Sequence, residues 1–180
     1  MFENPPEKVL YCYGIYQPLY ETMEKELPFI TFQQGLPSTS DLEALAHDKT
    51  CNLVCLDDLM ESVIASSEME NLFVKGMHHR HLSVIFLNQN MYCQGKHSRT
   101  ISLNSHILVL MKNPRDQSQI QCLARQAFMG KSKFLLEAFK DATCQPYGYL
   151  VLDFSPSGEE AHRVRTRIFP EEDTIIYQPI

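Results

Sequence analysis

Cys51-Asn-Leu-Val-Cys-Leu-Asp57-Asp58 decides the reading of this chain. It is a short apolar run that ends abruptly in two carboxylates. An unbroken apolar run, as opposed to an alternating one, marks a strand covered on both faces, the habit of parallel sheets in α/β proteins. An acid delivered at the carboxyl end of such a strand stands in the crevice where open α/β sheets bind ligands. Two adjacent acids there are costly unless a cation or a positive group is close. Magnesium is the hard cation satisfied by one or two carboxylates together with phosphate oxygens and water. A plainer reading stays open beside it: a strand-to-helix turn in which Asp58 caps the helix that follows.

Working outward, Lys8 to Gly14 reads as a buried, aromatic-rich strand stopped by glycine. Tyr16 to Lys25 reads as a helix beginning around Pro18, since proline suits a first helical turn. Phe29 to Phe32 is a short strand, and Thr39-Ser40-Asp41 caps a short helix through Ala46. Leu59 to Val74 has near-helical apolar spacing, and Leu82 to Leu87 is a further apolar strand closed by Asn88-Gln89-Asn90. Ile107 to Met111 reads as another buried strand. Arg115 to Phe128 and Lys131 to Ala142 read as helices split at Gly130, and Gly148 to Phe154 and Val164 to Phe169 as late strands around a Ser-Pro-Ser-Gly turn. Short buried strands alternating with helices predict a mostly parallel sheet with helices on both faces, followed by hairpin-like strands at the C-terminus. No repeat or Ser/Gly linker divides the chain, so one domain over 1–180 is expected.

The 180 residues are 44% apolar and 21% charged, and the longest apolar runs are far too short to cross a bilayer. The opening acids and prolines (Glu3, Pro5, Pro6, Glu7) make no cleavable signal. An intracellular protein, nuclear or cytoplasmic, with its six cysteines reduced is therefore expected. The closest two of the seven glycines stand ten residues apart. A dinucleotide fingerprint, a nucleophile elbow or a phosphate-cradling loop needs two within about five residues, so none is built from these residues. Gly130-Lys131-Ser132 resembles the end of such a loop, but Arg125 occupies the place of its first glycine.

Charge is unevenly spread. Residues 1–74 balance to −10, residues 75–135 to +8 with Asp116 their one acid, and residues 136–180 to −4. The basic middle reads either as a face for phosphate, in nucleotide or nucleic-acid backbone, or as the partner of the acidic N-terminal third.

Two further features follow Asp57 and Asp58. Gln89, in the polar cluster that ends the strand at 82–87, could orient a water or a γ-phosphate oxygen. Arg99 and Arg115 flank the strand at 107–111, and either could reach a nucleotide held by a neighbouring subunit. Singly, each also reads as an ordinary polar strand end or surface arginine. Their order is more specific: apolar strand with Asp-Asp, helix, apolar strand with Gln, arginine, strand. Cys51–Met60 (CNLVCLDDLM), Lys75–Gln89 (KGMHHRHLSVIFLNQ), Arg99–Arg115 (RTISLNSHILVLMKNPR) and Gly148–Phe154 (GYLVLDF) resemble the DNA-packaging ATPases of Polinton/Maverick elements. These are similar to the poxvirus packaging ATPase and belong to the HerA–FtsK superfamily of P-loop proteins. The resemblance runs from about Pro5 to about Pro170.

The resemblance implies a P-loop three-layer sandwich with Asp57 as the Walker B magnesium ligand and Asp58 as the acid that activates water. Many members carry glutamate at the second position, so aspartate, one methylene shorter, departs from the pattern there. Gln89 would match the sensor glutamine, and Arg99 or Arg115 an arginine finger serving the next subunit. The family implies Mg²⁺ and ATP as cofactors and a ring, hexameric by analogy, that translocates double-stranded DNA, with no membrane partner. Its members also carry a strand, a Gly-rich loop with Lys and Ser/Thr, and a helix ahead of the segment at residue 8. Without these the sandwich is incomplete: the chain is expected to bind neither ATP nor Mg²⁺ tightly and not to hydrolyse ATP unaided. In the resembled fold the absent strand lies between those ending at Gln89 and near Met111, so two open sheet edges are expected. The C-terminal portion of a motor is one reading, and a non-catalytic interaction module that assembles with a complete ATPase is the other.

Other clusters carry less. His78, His79 and His81 lack a second well-spaced ligand pair for zinc and read as a loop. Cys51 and Cys55 share one strand face and read as structural thiols. Cys93 and His97 lack an orienting third group. Tyr11, Tyr13 and Tyr16 could stack on bases but suit a core.

Overall fold

The computed structural model describes residues 5–46, 51–76, 82–92 and 95–179. The chain divides into two compact units, residues 1–104 and 105–180, each described by itself below.

The first unit is built on β1 (Lys8–Tyr13), β2 (Ile30–Gln34), β3 (Asn52–Asp57) and β4 (Leu82–Leu87), in the order β2-β1-β3-β4 with every pair parallel. The apolar run of β3 earns an inner position because both of its faces are covered: residues 52–56 are all buried. Leu10, Cys12, Val54, Leu56, Val84 and Phe86 look to one face. There they pack with Leu42 of α2 (Thr39–Ala46), Val63 of α3 (Met60–Ala65), Met69 of α4 (Ser67–Asn71), and Ile101 of α5 (Ser98–Leu103). Tyr11 and Phe32 look to the other face, where Tyr20 of α1 (Leu19–Glu26) meets them. Helices thus flank the parallel sheet on both sides, as the strand pattern predicts. The described residues contain no helix long and apolar enough to cross a membrane.

Two departures from the sequence reading have local causes. The helix expected over 59–74 breaks at Ser66, whose backbone turns extended (ψ 121°) while its hydroxyl accepts from the Met69 N–H. This is an N-cap in mid-segment. The chain then continues through a π-helical turn at Leu72–Gly76. The stretch around Arg99, for which the sequence pattern predicts no element, forms α5. His97 beside it is buried and its Nδ1 lies 2.6 Å from Oε2 of Glu70, tying α4 to the entry of α5.

In the second unit, β5 (Ile107–Met111), β6 (Tyr149–Asp153), β7 (Val164–Thr166) and β8 (Ile175–Ile176) form an antiparallel sheet in that order. Leu150, Leu152 and Val164 are buried with Leu123 of α6 (Ser118–Ala127) and Leu135 of α7 (Ser132–Ala142). The two helices turn at Gly130, whose φ of +80° is the left-handed geometry that favours glycine. Asp116 sets the start of α6 three residues later than expected: it accepts from the backbone and hydroxyl of Ser118 and from Gln119. Those bonds hold its carboxyl below the ordinary range. The strand at 107–111 is present but only half buried, contrary to its reading as a buried strand, because alternate residues face out of the unit.

Asn52 is the buried polar residue at the entry of β3. Its Oδ1 accepts from the Lys8 N–H (3.1 Å) and its Nδ2 donates to the Leu45 carbonyl (2.6 Å), joining the start of β1 and the end of α2 to the central strand. Replacing Asn52 by alanine leaves the Leu45 carbonyl without that donor, and a loss of about 1–3 kcal/mol is expected. Urea unfolding of the variant against wild type measures it.

Candidate functional site

The parallel register places Tyr13, Asp57 and Leu87 side by side at the carboxyl ends of β1, β3 and β4. The chain then turns sharply on both sides. Gly14 donates its N–H to the Asp57 carbonyl (3.0 Å), and a side chain at position 14 would collide with the Asp58 carbonyl. Asp58 itself is exposed with φ +54°. It is neither the last strand residue nor the residue directly before α3; that place belongs to Leu59, which makes no side-chain cap. The capping reading of Asp58 therefore has no hydrogen bond behind it among the described residues.

Asp57 is more constrained. Its Oδ2 accepts from the hydroxyl of Tyr11 (2.8 Å) and lies 3.4 Å from that of Tyr20. Tyr20 packs among Tyr11, Tyr13, Tyr16 and Phe32, with ring centroids 4.8 to 5.9 Å away. The tyrosines at 11, 13 and 16 thus form an aromatic cluster with Tyr20. Burial, then the bond to Asp57, pushes the Tyr11 phenol above its ordinary range. Burial, then the charge of Asp57, does the same for Tyr20. On the same side of the sheet as Tyr11, burial raises the Cys55 thiol to about 12, and on the opposite face burial raises Cys12 to about 12. Neither is a thiolate at neutral pH, which agrees with a structural role.

The other sequence candidates are less organised. Gln89 is exposed in the bend two residues beyond Leu87, the register partner of Asp57. The bend is shaped by Asn88, whose Oδ1 accepts from the Asn90 N–H. Arg99 is exposed on α5. Arg115 is exposed in the second unit, in the loop after β5, its N–H bonded to Oδ1 of Asn113. The structure therefore groups Asp57, Asp58 and the approach to Gln89 at one end of one sheet, and it places Arg115 in another unit. His78, His79, His81 and Cys93 lie outside the described residues.

A metal at this site would find one carboxylate oxygen of Asp57, Oδ1, without a hydrogen bond among the described residues, and the exposed carboxylate of Asp58 next to it. That suits a magnesium ion that takes its remaining ligands from water and phosphate. No group of three or more His, Cys, Asp and Glu side chains among the described residues could hold a metal alone.

Sequence reasoning missed the tyrosine partners of Asp57. Tyr11 and Asp57 sit at positions of like parity on strands that turned out to be neighbours, a signal readable only once strand order is known. The partner of His97, Glu70, was missed for a similar reason, being 27 residues away. Nothing matches this chain among protein-family models, curated proteins or solved structures.

Two outcomes follow. Gly14→Ala forces the Asp57–Asp58 turn away from β1 and costs about 1–3 kcal/mol, read by denaturant unfolding. The raised Tyr11 and Tyr20 phenols stabilise the fold fully below the unfolded phenol pKa of about 10, and that stability is lost as pH rises beyond it. Absorbance titration at alkaline pH should show phenols that resist ionisation, with less resistance in Asp57→Asn.

Proposed function

We propose that this chain is the C-terminal portion of an ATP-driven motor that packages or translocates double-stranded DNA for a Polinton-like or viral element. The observation that carries the reading is Asp57, presented with Asp58 at the carboxyl end of an inner strand of a parallel sheet, one strand away from the approach to Gln89. This is the location where open α/β sheets bind ligands. In this reading Asp57 is the magnesium ligand and Asp58 the acid toward water. Gln89 orients the attacking water, and Arg99 or Arg115 serves a neighbouring subunit in a ring, hexameric by analogy. Mg²⁺ and ATP are the cofactors of the complete motor; the phosphate-cradling loop is not among these 180 residues.

The basic middle adds support. Lys96, Arg99, Lys112, Arg115, Arg125, Lys131 and Lys133 are all exposed. Among the described residues their one ion pair is Lys133 with Glu137, at 3.6 Å within α7. Exposed basic side chains of this kind suit contact with phosphate backbone, the use this reading gives them.

A second reading is favoured by a different observation. The Tyr11 and Tyr20 bonds to Oδ2 give Asp57 a role inside the unit that requires no metal. In that reading the chain is a non-catalytic interaction module that assembles with a complete ATPase.

The purified chain is expected to show no ATP hydrolysis and to retain duplex DNA with an affinity that falls steeply with salt. An ATPase rate abolished by Asp57→Ala would overturn the inactivity of the isolated chain. Absent or salt-insensitive DNA retention would count against the motor. Under the second reading, Arg99→Ala and Arg115→Ala alter assembly with a complete ATPase, and failure to bind any such partner removes that reading.

A further inference from the structure

Four serines of this chain are followed three residues later by a carboxylate: Ser38 by Asp41, Ser40 by Glu43, Ser67 by Glu70 and Ser157 by Glu160. That spacing has two common uses. It caps helices, with the serine and the acid each answering a backbone N–H. It is also the substrate pattern of acid-directed protein kinases, whose basic clefts hold the carboxylates downstream of the serine. The structure separates the four.

Ser38 and Asp41 form a capping pair. The Asp41 carboxylate accepts from the Ser38 N–H (2.8 Å) and hydroxyl (2.6 Å), and the Asp41 N–H donates back to that hydroxyl at 3.2 Å. Ser40 lies inside α2, its hydroxyl 2.8 Å from that of Ser38. Ser67 opens α4, and its acid is engaged elsewhere, since Oε2 of Glu70 lies 2.6 Å from Nδ1 of the buried His97.

Ser157 differs on each count. It is exposed in the turn between β6 and β7, which Gly158 closes by donating its N–H to the Ser155 carbonyl at 3.1 Å. Its hydroxyl makes no hydrogen bond among the described residues. The short helical turn that follows, Glu160–His162, begins from Glu159 and has no side-chain cap, so the spacing does not serve a helix here. Residues 156–160 hydrogen-bond only within the connection that runs from Phe154 to Arg163. Its base is fixed instead: the Ser155 N–H and hydroxyl donate to Asp153, which Arg165 holds at 2.8 Å. The tip can therefore extend into a cleft without breaking a bond to strand or helix.

We propose that Ser157 is a phosphorylation site for an acid-directed serine/threonine kinase. Glu159 and Glu160, both exposed, supply the charge that the kinase's cations recognise; Glu159 shares its charge with His162, itself exposed, at 3.3 Å. Oγ of Ser157 attacks the γ-phosphorus of ATP held by the kinase. The new O–P bond forms as the bond from that phosphorus to the β,γ-bridging oxygen breaks, ADP leaves, and the hydroxyl proton passes to the kinase's base. The product carries about 1.5–2 further negative charges at pH 7 on a tip that is already acidic. The inference is independent of the nucleotide reading, because the ATP is the kinase's.

The test incubates the folded 180-residue chain with a purified casein-type acid-directed kinase and Mg·ATP, then maps the product by mass spectrometry. One phosphate per chain, on Ser157, is expected. Ser157→Ala removes a hydroxyl without a partner, so it keeps the fold and loses the phosphate. Glu159→Gln combined with Glu160→Gln should slow incorporation about tenfold or more. No incorporation into the wild-type chain, a phosphate mapped to Ser38, Ser40, Ser67 or Ser155 that survives Ser157→Ala, or a rate indifferent to loss of the two acids would each overturn the proposal.

Discussion

β3 is the strand on which the first unit depends. It is hydrogen-bonded to parallel neighbours on both sides and buried on both faces over residues 52–56, so no residue of it can move without disturbing two layers of packing. That constraint explains the polar residues at its two ends. Asn52 is fully buried and hydrogen-bonds through both ends of its amide to backbone groups of β1 and α2. An apolar residue there would pack well but leave those groups unanswered. Asp57 emerges where the cover thins, and its position is inherited from the same rigid ladder.

The aspartate is not simply presented to solvent. Phenols from β1 and α1 fix one of its oxygens, so the carboxylate's direction is set by aromatic packing around Tyr20. Hydrogen bonds to a charged acceptor are worth about 1.5–3 kcal/mol each, enough to hold a side chain in one rotamer. Such bonds serve both functional readings. A metal ligand gains from being oriented by hydrogen bonds outside the coordination sphere. A structural carboxylate gains by satisfying phenols that burial would otherwise leave unpaired. What separates the readings is the use of the other oxygen and of Asp58, whose left-handed backbone is held in place by the close approach of Gly14.

Much of this was legible in the amino-acid order. Apolar runs at 8–13, 52–57, 82–87 and 149–153 became strands because nothing but burial suits such runs, and Gly130 split two helices where an αL turn was needed. The break at Ser66 was hidden because the apolar spacing of 59–74 continues through it, while the serine hydroxyl prefers a backbone N–H to a helix interior. α5 was hidden because its six residues include two serines, a threonine and an isoleucine, weak helix formers that tertiary packing of Ile101 overrides. The partners of Asp57 and His97 depend on strand order and helix docking, and neither quantity has a local signature. The helix-flanked parallel sheet was legible from the strand pattern, while the resemblance to packaging ATPases rests on motif order alone.

The edges of the two sheets differ in a way that bears on how the chain is used. β2 closes one edge with Thr31, Gln33 and Gln34, and the Gln33 side chain bonds to Leu36 and Asp41. β8 closes another with only two residues, too short to template a neighbour. Both are ways in which proteins make an edge unattractive to further strands. β5 has neither: it is apolar throughout, regular, and shows three alternate side chains to solvent. An edge of that composition is a liability in any protein that leaves it open at working concentration. The absence of guarding residues at 107–111 holds whichever use Asp57 serves.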